Sequence, residues 1–244
     1  MILARVMVGR LQFVSMGKEN ITTELQRIKE LLPRYRYVAI DTEYPSTVHE
    51  VPVGGAGRLT PVACYYALVK ANIDEVPILQ VGLTLCDEEG NLPVIVDGFN
   101  FAHALVHNVP STDFMGKLAE VLAKVPQPLM WVVFGGAFDF AHMVKMLSVG
   151  QPLPKTHGEF MARARHLLHG LAFDAKYMGK HSGRAELCAG GLRTMAAILG
   201  MPQLILVSPS LAGPKSHTAF CIFNVMRLVV HGGASYDGLI DGIY

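Results

Sequence analysis

Apolar residues recur along this chain with two different periods, and the switches between them mark its elements. Over residues 20–32, Ile21, Leu25, Ile28, Leu31 and Leu32 share one side of a 3.6-residue repeat, which predicts a helix. Thr23 and Gln26 have the spacing of a capping box, and Pro33 ends the helix. Residues 37–41 form a short apolar run closed by Asp41, the pattern of a buried strand with a carboxylate at its end. A Gly- and Pro-rich loop spans 45–61, and residues 62–71 read as helical. Residues 78–86 (ILQVGLTLC) predict a central strand, the polar stretch 87–91 (DEEGN) a hairpin turn, and 94–101 the partner strand. A helix at 114–122, a buried strand at 130–134 (MWVVF) and a helix at 138–147 (FDFAHMVKML) follow. A short strand at 171–173 and helices at 192–199 and 218–230 complete the pattern. Near the start, Val6, Val8, Leu11 and Phe13 suit an extended segment, which predicts a first strand; Arg5, Arg10 and Lys18, without an acid among them, also give this stretch a feature of transit peptides.

Strands come first and helices dominate later, with no internal repeat, low-complexity tract or linker. The expectation is one α/β domain over residues 1–244, with a central mixed sheet flanked by helices. Hydrophobic residues make up 51% of the chain. Even so, apolar stretches such as 128–134 and 225–230 fall far short of the roughly 20 residues that cross a bilayer as a helix, so no membrane role is expected. Cys64, Cys86, Cys188 and Cys221 form no CxxC pair, which argues against a zinc site or a disulfide framework. A net charge of +1 supplies no global pull on nucleic acid, so any RNA contact must come from a local groove and from bound metal.

Candidate chemistry begins with Asp41-Thr42-Glu43. Residues two apart on a strand face the same side, so Asp41 and Glu43 can aim at one point beyond the sheet, and two such oxygens suit Mg2+ or Mn2+. An isolated Asp-x-Glu at a strand end is more often simply solvated. Asp139 follows the apolar 130–134 strand at the start of a helix, where an acid also serves the helix dipole. Because both acidic sites follow short apolar strands, one sheet edge can bring the three carboxylates together. The chemistry such a set supports is two-ion phosphodiester hydrolysis. There is no GxSxG elbow, P-loop or GxGxxG.

These residues carry a resemblance. YVAIDTEYP is similar to the first exonuclease motif of the Caf/Pop-type deadenylases, the nuclease subunits of the Ccr-Not complex, which reads close to F-x-A-x-D-T-E-F-P. NIDEVPILQVGLTLCDEEGNLP resembles that family's N-x-D-x-x-x-x-I-Q-L-G-L-T-x-x-x-x-x-G-x-x-P, and FNF at 99–101 matches in turn. WVVFGGAFDFAHMVKML resembles W-x-x-F-H-S-G-Y-D-F-x-Y-x-x-K-x-L, with Gly135 and Gly136 in place of His and Ser; FDAKYM and Gly190-Gly191-Leu192 echo later stretches. The resemblance implies a DEDD-type, RNase H-like fold and two divalent ions, Mg2+ or Mn2+. It implies removal of adenosines from poly(A) RNA, docking to a Not-type scaffold beside a Ccr-type nuclease, and residence in nucleus and cytoplasm. It places Asp41, Glu43 and Asp139 at catalytic and metal-ligand positions and gives Asp174 a structural role.

The third motif departs. Where the family has H-Q-A-G-S-D-S, this chain has Ser210-Leu211-Ala212-Gly213-Pro214-Lys215-Ser216, so Ser210 fills the His position and Lys215 the Asp position. An ammonium in place of a carboxylate cuts the ligand charge from −4 to −2. Each unit charge 4 Å away is worth about 4 kcal/mol at an effective dielectric of 20, so a Lys215 pointing inward weakens one ion strongly. Loss of a general base costs a further ~10²–10⁴ in rate. His217 lies nearby as a conceivable substitute base, and the glycines at 135 and 136 suggest a nucleotide pocket under relaxed constraint. Three functions stay open: a deadenylase of altered efficiency, a catalytically silent Ccr-Not adaptor, and a DNA-directed exonuclease of the same superfamily.

Overall fold

The computed structural model describes residues 16, 19–50, 60–93, 111–188, 190–201, 212–229 and 236–243. The predicted first strand, the partner strand at 94–101, the FNF match and Ser210 lie outside the described residues.

Four strands form one sheet among the described residues, in the order β2-β1-β3-β4. β1 (Tyr37–Glu43) pairs antiparallel with β2 (Gln80–Cys86) and parallel with β3 (Leu129–Val133), which pairs parallel with β4 (Gly170–Asp174). The sheet is mixed, as the pattern predicts. The strand expected to be central, β2, ends the row of described strands.

Both faces of the inner strands are covered, which is why β3 reads as an unbroken apolar run. On one side Val38, Ile40, Trp131 and Val133 join a core with Ile21, Leu25, Tyr66, Phe140 and Phe160. These last residues come from α1 (Ile21–Leu31), α2 (Pro61–Glu75), α4 (Ala137–Leu147) and α5 (His157–Leu168), and α3 (Ser111–Leu122) adds Phe114 and Leu118. On the other side Tyr37, Ala39, Val132 and Phe173 meet Met178, Met195, Phe220 and Phe223, from α6 (Ala175–Lys180), α7 (Leu192–Ile198) and α8 (Ala212–Val229). Adjacent strand residues thus feed opposite cores, as the pleat requires. Trp131 is fully buried, and its indole N–H donates to the Leu168 carbonyl at 2.9 Å.

Three local expectations change. α1 starts at Ile21 with Asn20 as its cap residue, so Thr23 lies inside the first turn instead of capping it. α5 is absent from the periodic reading; its start is a true capping box, in which Thr156 accepts from the Glu159 N–H and Glu159 reaches back to the Thr156 N–H. α8 begins at Ala212, six residues before the predicted start at 218. Pro214 sits in its first turn, where no helical N–H is needed.

The expected turn after β2 is present: Asp87 and Asn91 exchange hydrogen bonds, and the Gly90 N–H donates to the Asp87 carbonyl. At the far edge of the row, residues 236–243 run against β4. The Ala172 N–H donates to Asp237 Oδ1 at 2.7 Å, and the Gly238 N–H donates to the Ala172 carbonyl at 2.8 Å.

Candidate active site

Strand alternation sends Asp41 and Glu43 to the same face of β1, with Thr42 between them on the other. Asp139 arrives from the first turn of α4, directly after β3. Its Oδ1 accepts from both the backbone N–H and the hydroxyl of Thr42, each at 2.6 Å. Asp139 therefore sits against the Asp41-Thr42-Glu43 segment, 97 residues away in sequence. Thr42 does the joining, a role the sequence pattern does not disclose.

Burial, ahead of crowding, sets the protonation of these acids. Burial and the neighbouring Asp139 charge raise the pKa of Asp41 well above the ordinary carboxylate range, with Lys215 pulling the other way. Asp139 is pushed up to about 6, chiefly by burial and against the two Thr42 hydrogen bonds. An aromatic wall closes this side: Tyr44 stacks on Phe138 with centroids 5.5 Å apart and leans on His142 at 5.2 Å. Burial, with Asp139 next in weight, pushes the Tyr44 hydroxyl up to about 12.

Lys215 points into this site and forms an ion pair with Glu43 Oε1. Its direction follows from how α8 meets the sheet. Gly82 lies directly across from Asp41, and a Cβ there would come within 2.2 Å of the Ala212 carbonyl carbon. Only glycine lets the first turn of α8 lie this close. The buried hydroxyls of Thr84 and Ser216 then bond at 2.7 Å. Further along, Arg227 donates to the Tyr37 hydroxyl at 2.5 Å and to the Glu88 carbonyl at 2.6 Å. With its helix pinned at both ends, Lys215 is delivered to Glu43. His217 instead lies against Cys221, with Nε2 3.7 Å from the sulfur, and burial lowers its pKa to about 4.

The free oxygens decide how well these residues suit divalent ions. Asp41 Oδ2 is buried with no hydrogen-bond partner, the kind of donor a hard cation takes up. Glu43 Oε1, however, faces an ammonium, and Asp139 Oδ1 already serves Thr42. Among the described residues no three His, Cys, Asp or Glu side chains converge as ion ligands. The residues as placed do not fit the pair of ions that the resemblance implies.

Beside the site, Asp174 ends β4. It is fully buried and accepts from the backbone N–H groups of Gly135, Gly136, Lys176, Tyr177 and Asp241, at 2.8 to 3.3 Å. It holds the turn between β3 and α4 from which Asp139 projects. Glycine suits that turn as this chain builds it: a Cβ on Gly136 would lie 2.4 Å from the Val133 Cβ, and Gly135 has φ +59°.

The fold and the chain both have known counterparts. The model of the CAF1 family ribonuclease matches residues 16–115, which include Asp41 and Glu43 but stop short of Asp139 and Lys215. Two Arabidopsis thaliana proteins are similar along most of their length. The probable CCR4-associated factor 1 homolog 7 is 25% identical over 96% of this chain and 94% of its own, and homolog 10 is 24% identical over 92% and 89%. Among solved structures, S. pombe Pop2p in its Mg2+- and Mn2+-bound form superposes with a TM-score of 0.78 at 23% identity, covering 95% of this chain and all of that one. Yeast CAF1 co-crystallised with the NOT1 MIF4G domain gives 0.74 at 21% identity, over 93% and 96%.

The class is therefore clear: a mixed α/β fold shared with the Pop2/Caf1 ribonuclease domains. The resemblance first read in YVAIDTEYP and QVGLTL is borne out in the CAF1 ribonuclease family and in the CCR4-associated factor homologues. No helix among the described residues is long and apolar enough to cross a membrane.

Proposed function

We propose that this chain is a single-domain, divergent Caf-type exoribonuclease that removes adenosines from the 3′ ends of poly(A) RNA, with impaired turnover. The observation that carries the reading is the meeting of Asp139 with the Asp41-Thr42-Glu43 segment at one sheet edge, within the Pop2/Caf1 fold. Asp41, Glu43 and Asp139 are assigned as the catalytic and metal-binding set. Asp41 and Asp139 would hold at most one Mg2+ or Mn2+, since Lys215 occupies Glu43. Ser210, by its place in the motif, adds the loss of a base.

The test is stepwise shortening of a 5′-labelled oligo(A) RNA with Mg2+ or Mn2+. Weak, metal-dependent shortening that Asp41→Ala abolishes is the expected result. The double change Ser210→His with Lys215→Asp should raise the rate at least ~10²-fold, the low end for a restored general base. A well-folded double variant with no gain would sink the impaired-site reading, and preference for single-stranded DNA would redirect the substrate assignment.

A second reading draws on the same Lys215–Glu43 pair: a silent adaptor that bridges a Not-type scaffold and a Ccr-type nuclease in nucleus and cytoplasm. Yeast CAF1, which shares the fold, was crystallised with a NOT1 MIF4G domain. Capture of such a domain by a protein that shortens no RNA would favour it.

A further inference from the structure

We infer that the Lys215 ammonium stands in for a divalent ion as a cation built into the chain, so that the folded domain is held together at its acidic edge without metal. This rests on reading Asp41, Glu43 and Asp139 as a metal-type site, and it reaches further, to what now neutralises them. Three carboxylates gathered at one sheet edge repel one another unless a cation or hydrogen-bond donors face them. In a site filled by ions, the ions would offset that repulsion. Here one oxygen of Glu43 meets an ammonium, and Asp139 is held by the Thr42 N–H and hydroxyl.

The ammonium is not a mobile surface charge that happens to lean inward. Close packing of Ala212 on Gly82 and the buried Thr84–Ser216 bond place its helix, and the Arg227 bonds to Tyr37 and Glu88 anchor the other end. A tethered cation costs no ion-binding entropy and is present at every metal concentration. As placed, it meets Glu43 and leaves Asp41 Oδ2 without a partner.

The experiment compares thermal unfolding of the wild type, Lys215→Met and Lys215→Arg in EDTA and across a Mn2+ titration, with equilibrium dialysis of Mn2+ against the wild type. In EDTA the Met variant should melt about 3–6 °C below the wild type, and the Arg variant nearer to it. Because a ligand that binds only the folded state raises Tm with its concentration, Mn2+ should recover most of the loss in the Met variant and move the wild type far less. Dialysis should find at most one Mn2+ per chain. Equal Mn2+ dependence in wild type and Met variant, or a Met variant as stable in EDTA as the wild type, overturns the inference. If the Met variant does not fold, two Mn2+ bound per wild-type chain overturns it, and one or none upholds it. Oligo(A) shortening by the same samples separates this outcome from the nuclease reading, since the Tm pattern can hold where no RNA is cut.

Discussion

A buried aspartate and a half-buried one lie at or near the ends of two strands of the same sheet, and their oxygens are used differently. Asp174, the last residue of β4, receives five backbone N–H groups, two of them from the β3–α4 turn, so its oxygens are fully used. Asp41, near the end of β1, keeps one oxygen buried without a partner and shares its space with Asp139 and Glu43. A carboxylate that is satisfied contributes to folding, whereas one that is crowded and unsatisfied opposes it and persists for another reason. What the oxygens touch separates scaffold from site here, where position at a strand end does not.

The most severe way to break the contrast is Asp174→Ala. It strands several buried N–H donors at once, and urea unfolding should show a loss of about 3–5 kcal/mol. Asp139 would lose its support as well, so the acid edge should become disordered with the turn.

A smaller effect belongs to His142, which is buried against Tyr44 and whose pKa burial lowers to about 4 from an ordinary 6.5. The unfolded chain takes up this proton more readily than the folded one. Stability from this group is therefore full above pH 6.5 and is lost as pH falls toward 4, by on the order of 2–3 kcal/mol. In His142→Phe the decline of stability over that window should be shallower, as measured by denaturant midpoints at stepped pH.

The smallest effect has the opposite sign. Asp41→Asn removes a charge that the site disfavours, so the variant should gain about 1 kcal/mol while losing any RNA shortening. Because the Asp41 pKa is raised, the folded state holds that proton longer than the unfolded one, and wild-type stability declines as pH climbs past the usual carboxylate range. The advantage of the Asn variant should grow over the same climb. A loss of stability instead would place Asp41 with Asp174, among the scaffold acids.

The chain displays much of this architecture in its pattern, unevenly. α1, β1, β2, β3 and α4 are legible because each pairs a clear apolar period with a turn or cap residue at its end. The start of α8 is not, since Ala-Gly-Pro-Lys-Ser has the composition of a loop and is helical only because its first turn packs onto Gly82. α5 was findable from Thr156-His157-Gly158-Glu159, the sequence form of a capping box, while Thr23 with Gln26 has similar spacing and caps nothing. Gly82 was visible as a lone glycine in a strand, the mark of a close approach. At the site, alternation puts Asp41 and Glu43 together, but the Thr42 bridge to Asp139 is a long-range contact with no local signature. Lys215 could be placed only by register with a family motif, because nothing about a lysine in a helix's first turn announces an acid partner on a distant strand.

Residues 236–243 carry one further consequence. By spending Asp237 and the Gly238 N–H on Ala172, they consume hydrogen-bonding capacity along the outer rim of β4 that another extended polypeptide would otherwise recruit. On that flank one carboxylate and one backbone N–H of the chain's own 236–243 segment occupy the strand rim at Ala172, where an added strand would otherwise pair.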